Sequence, residues 1–109
     1  MNVQTDYSQG VLSLRFSGEL DHHSAKNALQ EIENAMDRYL PRRCELDLSG
    51  LSFMDSSGIA VIVRARKRMR DSGGKIWLIQ PGEQPLRVLE ASGAQKLIQI
   101  RSPENGGKR

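Results

Sequence analysis

Between Cys44 and Val63 the chain changes its hydrophobic period from two to the helical one, and that change constrains the fold more than any other feature. Cys44, Leu46 and Leu48 alternate with Glu45, Asp47 and Ser49, the pattern of a strand with one buried face. Leu51 to Met54 then lead into Asp55-Ser56-Ser57-Gly58. Three good N-cap types in a row, followed by a glycine that costs little at a helix start, predict that a helix begins there. It should run from about Ser57 to Asp71. Its first half, Ile59 to Val63, is apolar on all sides and should be buried, and Gly73-Gly74 should stop it. A helix start carries unpaired N–H groups and a partial positive charge, so it favours anions and phosphates. A serine placed there is a candidate functional residue. The plain alternative is that these residues only cap a helix.

The remaining segments supply partners for this unit. Val3, Thr5 and Tyr7 read as a first strand, and Ser8-Gln9-Gly10 as a turn. Leu12, Leu14 and Phe16 form a second strand, antiparallel to the first. Asp21 is a candidate N-cap for the amphipathic helix marked by Ala25, Ala28, Leu29, Ile32, Ala35, Met36 and Tyr39, which Pro41 ends. Lys75 to Ile79 reads as a fourth strand. Pro85 is placed to start a third helix that Gly93 ends. Leu97 to Ile100 reads as a fifth strand. Strands alternating with helices imply parallel strands joined by right-handed crossovers. The expected fold is therefore α/β: a mixed, mostly parallel sheet of about five strands with the helices packed on one face. The other face should carry Arg15, Glu45, Asp47 and Trp77 and stay largely open to water.

Length and composition limit the function classes. A chain of 109 residues suits one domain, here 1–101, followed by a flexible polar tail, 102–109. No apolar run approaches a membrane span, the first residues do not read as a secretory signal, and the single cysteine excludes an internal disulfide. A cytoplasmic protein without a membrane role is expected. Cys44 reads as a buried small hydrophobe. The basic run Arg64, Arg66, Lys67, Arg68 and Arg70 lacks interleaved aromatics, so it reads as a solvated helix end rather than a nucleic-acid surface. It could steer an acidic partner. His22 and His23 could be a metal pair or a base for Ser57. No further histidine or spare cysteine completes a metal site, and the Gly-x-Ser-x-Gly hydrolase elbow is absent because residue 55 is Asp. Neither metal, cofactor nor catalytic residue is expected. Ser56 competes with Ser57 for any role at the helix start and is expected to face inward as a cap, while Asp55 holds the loop by an Asx-type bond.

Gly18-Glu19-Leu20-Asp21-His22-His23 and Phe53-Met54-Asp55-Ser56-Ser57-Gly58 resemble the two signature segments of bacterial anti-sigma factor antagonists, a family with the STAS fold. Arg87 to Gly93 and the hydrophobic strand after it fit as well, so the resemblance runs from about Val3 to Ile100. The Gly-Glu-Leu-Asp-His-His form is most similar to the sporulation branch, which acts on an anti-sigma F factor. The resemblance implies a binding module rather than an enzyme. Its unphosphorylated form would bind an anti-sigma factor serine kinase and free the sigma factor. Phosphorylation would switch binding off, and a serine phosphatase would reset it. It places the phosphoacceptor at Ser57 and the partner-binding residues at Asp21, His22, His23, Asp55, Ser56, Ser57 and Gly58. A STAS module of another stress-signalling or transporter-associated complex is the alternative, and a serine hydrolase the remoter one. Ile59-Ala60 stands where the family often has Leu-Gly, and the polar tail stands where it often has a further helix.

Overall fold

The computed structural model describes residues 1–102. Along the chain lie β1 (Asn2–Ser8), β2 (Val11–Leu20), α1 (Ala25–Tyr39), β3 (Arg43–Met54), α2 (Ser56–Asp71), β4 (Lys75–Ile79), α3 (Glu83–Ser92), a single 3-10 turn (Ala94–Lys96) and β5 (Gln99–Arg101). The strands lie side by side in the order β1-β2-β3-β4-β5. β1 and β2 are antiparallel, and every later neighbour is parallel. The hairpin closes over Gln9 and Gly10, both at positive φ, the geometry whose twist matches that of the flanking strands.

The expected one-sided layering is present. Leu12, Leu14 and Phe16 of β2, Cys44, Leu46 and Leu48 of β3 and Leu78 of β4 are fully buried. They meet Ala28, Ile32 and Met36 of α1, Val61, Ile62, Ala65 and Met69 of α2, and Leu89 of α3 in one core. Truncating a core leucine such as Leu46 to alanine should cost about 2–5 kcal/mol, because the lost transfer energy and the cavity add. On the open face Arg15 pairs with Asp47 at 3.4 Å. Trp77 is the register partner of Glu45 and shares that face. It is nonetheless only 9% exposed. The Arg101 guanidinium covers its ring at 4.0 Å, and its Nε1–H donates to Gln99 Oε1 at 3.1 Å.

Several boundaries differ from the sequence reading. β3 does not stop near Leu48 but continues to Met54. Its pairing with β2 slips twice, between Arg15 and Ser17 and between Gly18 and Glu19. These irregularities break the period-two pattern, so Leu48 and Leu51 are both buried at a spacing that alternation does not allow. α3 begins at Glu83, and Pro85 lies inside its first turn, where a missing N–H leaves no bond unmade. β5 is Gln99–Arg101, and Leu97 is half exposed ahead of it. Of the expected tail, residues 103–109 lie outside the described residues. Among the described residues no helix is long and apolar enough to cross a membrane.

Candidate functional site

The ends of β2 and β3 set the site. Leu20 and Met54 are register partners, and the Asp55 N–H donates to the Leu20 carbonyl at 3.3 Å. The two chain segments that follow, beginning at Asp21 and Asp55, therefore leave the same edge of the sheet next to each other.

On the β3 side, Asp55 is the N-cap of α2, with extended backbone and its Oδ1 accepting from the Ser57 N–H at 2.8 Å. This is the expected Asx-type bond, and it does the capping. Ser56, expected to face inward as a cap, is instead exposed in the first position of the helix. The cap has to precede the first helical residue, and Asp55 already holds that place. Ser57 is half-buried, and among the described residues its hydroxyl makes no hydrogen bond. Gly58 is buried and is more than a tolerated residue. A Cβ there would lie 2.4 Å from Met54 Cγ, 2.9 Å from its Sδ and 3.1 Å from Leu20 Cγ. Only a glycine lets the first turn of α2 sit this close to the strand ends and hold Ser57 at the rim.

On the β2 side, Asp21 Oδ1 accepts from the His23 and Ser24 N–H groups at 3.0 and 3.1 Å. Ser24 Oγ accepts from the Asp21 N–H at 3.0 Å and donates to the Glu19 carbonyl at 2.8 Å. The exchange is a capping box with serine in the returning position, one turn ahead of α1. Asp21 thus caps the turn that feeds the helix. The Ser24 N–H in particular holds its carboxyl below the usual range, with His23 adding to the effect. His22 and His23 follow into solvent, their rings edge to face with centroids 5.8 Å apart. No hydrogen bond joins either to Ser57 among the described residues, nor is there a cluster of three metal-ligating side chains.

Two contributors to this pole were not anticipated from sequence. Gln84, in the first turn of α3, bonds both backbone groups of Met54: the Met54 N–H donates to Oε1 at 2.8 Å, and Nε2 donates to the Met54 carbonyl at 2.9 Å. β4 pairs with β3 only as far as Ile79 opposite Asp47. The carboxamide therefore acts as a substitute strand for the residue just before Asp55. Phe53 is the second, 39% exposed beside the site on the sheet side. In the sequence it stood out only as a large aromatic at the head of the second family-like segment, with no role assigned to it.

The basic half of α2 is largely compensated. Arg64 and Arg68 reach Glu33 at 3.7 and 3.5 Å, Arg68 also pairs with Asp37, and Lys67 bonds Asp71 at 2.9 Å. Arg66 donates to the Leu97 carbonyl at 2.8 Å. Each exposed pair is worth about 0–1 kcal/mol. Cys44 is buried as expected. Desolvation, with Glu45 beside it, pushes its thiol up to about 12.

Against known proteins, the family model described as STAS domain matches residues 2–105. The anti-sigma F factor antagonist of Paenibacillus polymyxa is 35% identical over 103 residues, covering 92% of this chain and 86% of that protein. The anti-sigma-B factor antagonist of Bacillus subtilis (strain 168) is 27% identical over 109 residues, covering 98% of each. Among solved structures, the anti-sigma factor antagonist SpoIIAA in its unphosphorylated form aligns with a TM-score of 0.80 at 24% identity, covering 94% of this chain and 90% of that one. At that identity the last likeness speaks to the fold.

Proposed function

We propose a function from the fact that this chain belongs to the STAS domain family: it is an anti-sigma factor antagonist switched by phosphorylation at Ser57. Unphosphorylated, it binds an anti-sigma factor serine kinase and frees the sigma factor. The kinase then transfers the γ-phosphoryl of ATP to Ser57 Oγ, the hydroxyl proton is lost, ADP leaves, and the modified chain no longer binds. A serine phosphatase resets it by hydrolysis. The chain works as a cytoplasmic binding module and performs no catalysis itself. Its kinship with curated antagonists of both the F and the B type supports the antagonist role.

The observation that carries the placement is local. Ser57 stands in the first turn of α2 with its N–H tied to Asp55 and its hydroxyl unengaged among the described residues. A phosphate adds about −1.5 to −2 charge and three acceptor oxygens. The partial positive charge of the helix start tolerates that group, so the fold survives the modification. A partner surface that must desolvate it does not. Asp21 is placed by the Leu20–Asp55 bond on the neighbouring chain segment, where it and the exposed histidines extend the same surface. Phe53 supplies apolar area at its edge.

Two variants test this. Ser57→Ala should bind the kinase in the presence of ADP as the wild type does and should not be released by ATP. Ser57→Asp puts one negative charge where phosphate brings nearly two. It should fold normally and bind at least about tenfold more weakly, a loss of about 1.4 kcal/mol. Wild-type binding by Ser57→Asp together with ATP-driven release of Ser57→Ala would remove Ser57 from the switch.

A further inference from the structure

Away from the Ser57 pole, the outer edge of β1 is exposed over its whole length except at Val3, and it carries a single charged residue, Asp6. Edge strands in native sheets are commonly blunted by charge, proline, bulges or a covering segment, because their free N–H and C=O groups template pairing with another chain. β1 has seven residues, no proline and an unbroken register against β2. We propose that this edge, together with the adjacent face of α1, is a docking surface for a second copy of the same chain, giving a twofold dimer through an antiparallel β1–β1 pair.

The sequence of the edge is self-complementary about Thr5. An antiparallel copy centred there sets Val3 opposite Tyr7, Gln4 opposite Asp6 and Thr5 opposite itself. β-branched with aromatic, amide with carboxylate and threonine with threonine are all favourable cross-strand pairs, and no like charges meet. Tyr7 is already held in place by stacking on Tyr39 of α1, with ring centroids 4.7 Å apart.

α1 repeats the complementarity independently. Between β1 and α1 runs an open groove of about 540 Å³ lined by Thr5 of β1 and by Glu31, Asn34, Ala35, Asp37, Arg38 and Tyr39 of α1, with Glu31 and Arg38 about two turns apart along the helix. Neither Glu31 nor Arg38 takes part in an ion pair among the described residues. A twofold axis through Thr5 reverses the second α1, so each Glu31 faces the other copy's Arg38. The same operation carries Met1 of one copy toward the end where Tyr7 and Leu40 of the other stand exposed, at 43%, 37% and 79%. Isologous interfaces repeat every contact in this way. Because the axis also reverses the strands, the two Ser57 poles point to opposite ends of the ten-stranded sheet. Each copy could engage its own partner without a clash.

The test uses the full chain and its charge variants in sedimentation equilibrium. The wild type should show a concentration-dependent monomer–dimer equilibrium. Glu31→Arg and Arg38→Glu, each alone, place like charges across the axis twice and should weaken self-association by about tenfold. An equimolar mixture of the two variants should restore dimerisation, since both charge contacts are then complementary between unlike chains. Circular dichroism on each variant confirms that the fold is kept. A wild type that stays monomeric at millimolar concentration overturns the proposal. So does a mixture that associates no better than either variant alone, because a different interface would ignore this swap.

Discussion

Replacing Gln84 by alanine isolates the device that fixes the site's approach strand. The substitution removes the partners of both the Met54 N–H and the Met54 carbonyl at once, and nothing on the β4 side can take their place, since β4 ends opposite Asp47. Each hydrogen bond is worth about 0.5–1.5 kcal/mol net. Gln84 is only half-buried, so water reaches part of the vacated space, and the expected loss is about 1–2 kcal/mol. For a domain of this size that corresponds to a drop in Tm of roughly 5–10 °C. Gln84→Glu keeps an acceptor for the Met54 N–H but sets an anionic oxygen against the Met54 carbonyl. It should be at least as damaging at pH 7 and should partly recover in acid, where a protonated carboxyl can donate again. Thermal and urea melts measure the stability, and amide exchange at Met54 and Asp55 measures the local opening, which should accelerate more than exchange in β1. Two melts within about 0.5 kcal/mol of wild type, the range of an ordinary surface substitution, with unchanged exchange at Met54, would refute the idea that the carboxamide serves as a strand.

Other expectations follow from the same geometry. Cys44 should resist thiol reagents at pH 8 in the native state and react once unfolded. The unfolded thiol ionises near 9.0 while the folded one holds its proton to about 12, so stability should fall above pH 9 by up to about 1.4 kcal/mol per pH unit, and Cys44→Ala should lack that alkaline slope. Asp21→Asn should melt below wild type at pH 7. Because the folded carboxyl of Asp21 is held below the ordinary 3.8, the gap should persist above that pH and close as pH falls through the folded value, which parallel melts from pH 7 to pH 2.5 will show. Asp21→Ala should weaken kinase binding while leaving the phosphoacceptor in place, as titration by calorimetry can establish.

Much of this was legible from residue pattern because the core strands are buried on one face only. Leu12, Leu14 and Phe16, and again Cys44, Leu46 and Leu48, keep strict alternation, which gave both strands and their inward faces. Alternation failed from Ser49 onward, where the slips in the β2–β3 register make β3 run on to Met54. Asp55 and Ser57 were visible as helix-start chemistry. The direction of the cap was not, since three consecutive capping residue types are indistinguishable until the backbone shows which one is extended. Gly58 read as merely permissive, because the crowding by Met54 and Leu20 exists only once the strand ends and the helix meet. Gln84 had no local signal: its role depends on β4 being shorter than β3, a relation between segments far apart in the chain.

On the proposed function, Ser57 is the phosphoacceptor of a partner-switching module. The most direct measurement is to incubate the chain with a candidate anti-sigma factor serine kinase and ATP and to map the product by tandem mass spectrometry. A single phosphate on Ser57, with none on Ser56 and none on the Ser57→Ala variant, is the predicted result. Phosphate on Ser56, or equal modification of Ser57→Ala, would contradict it.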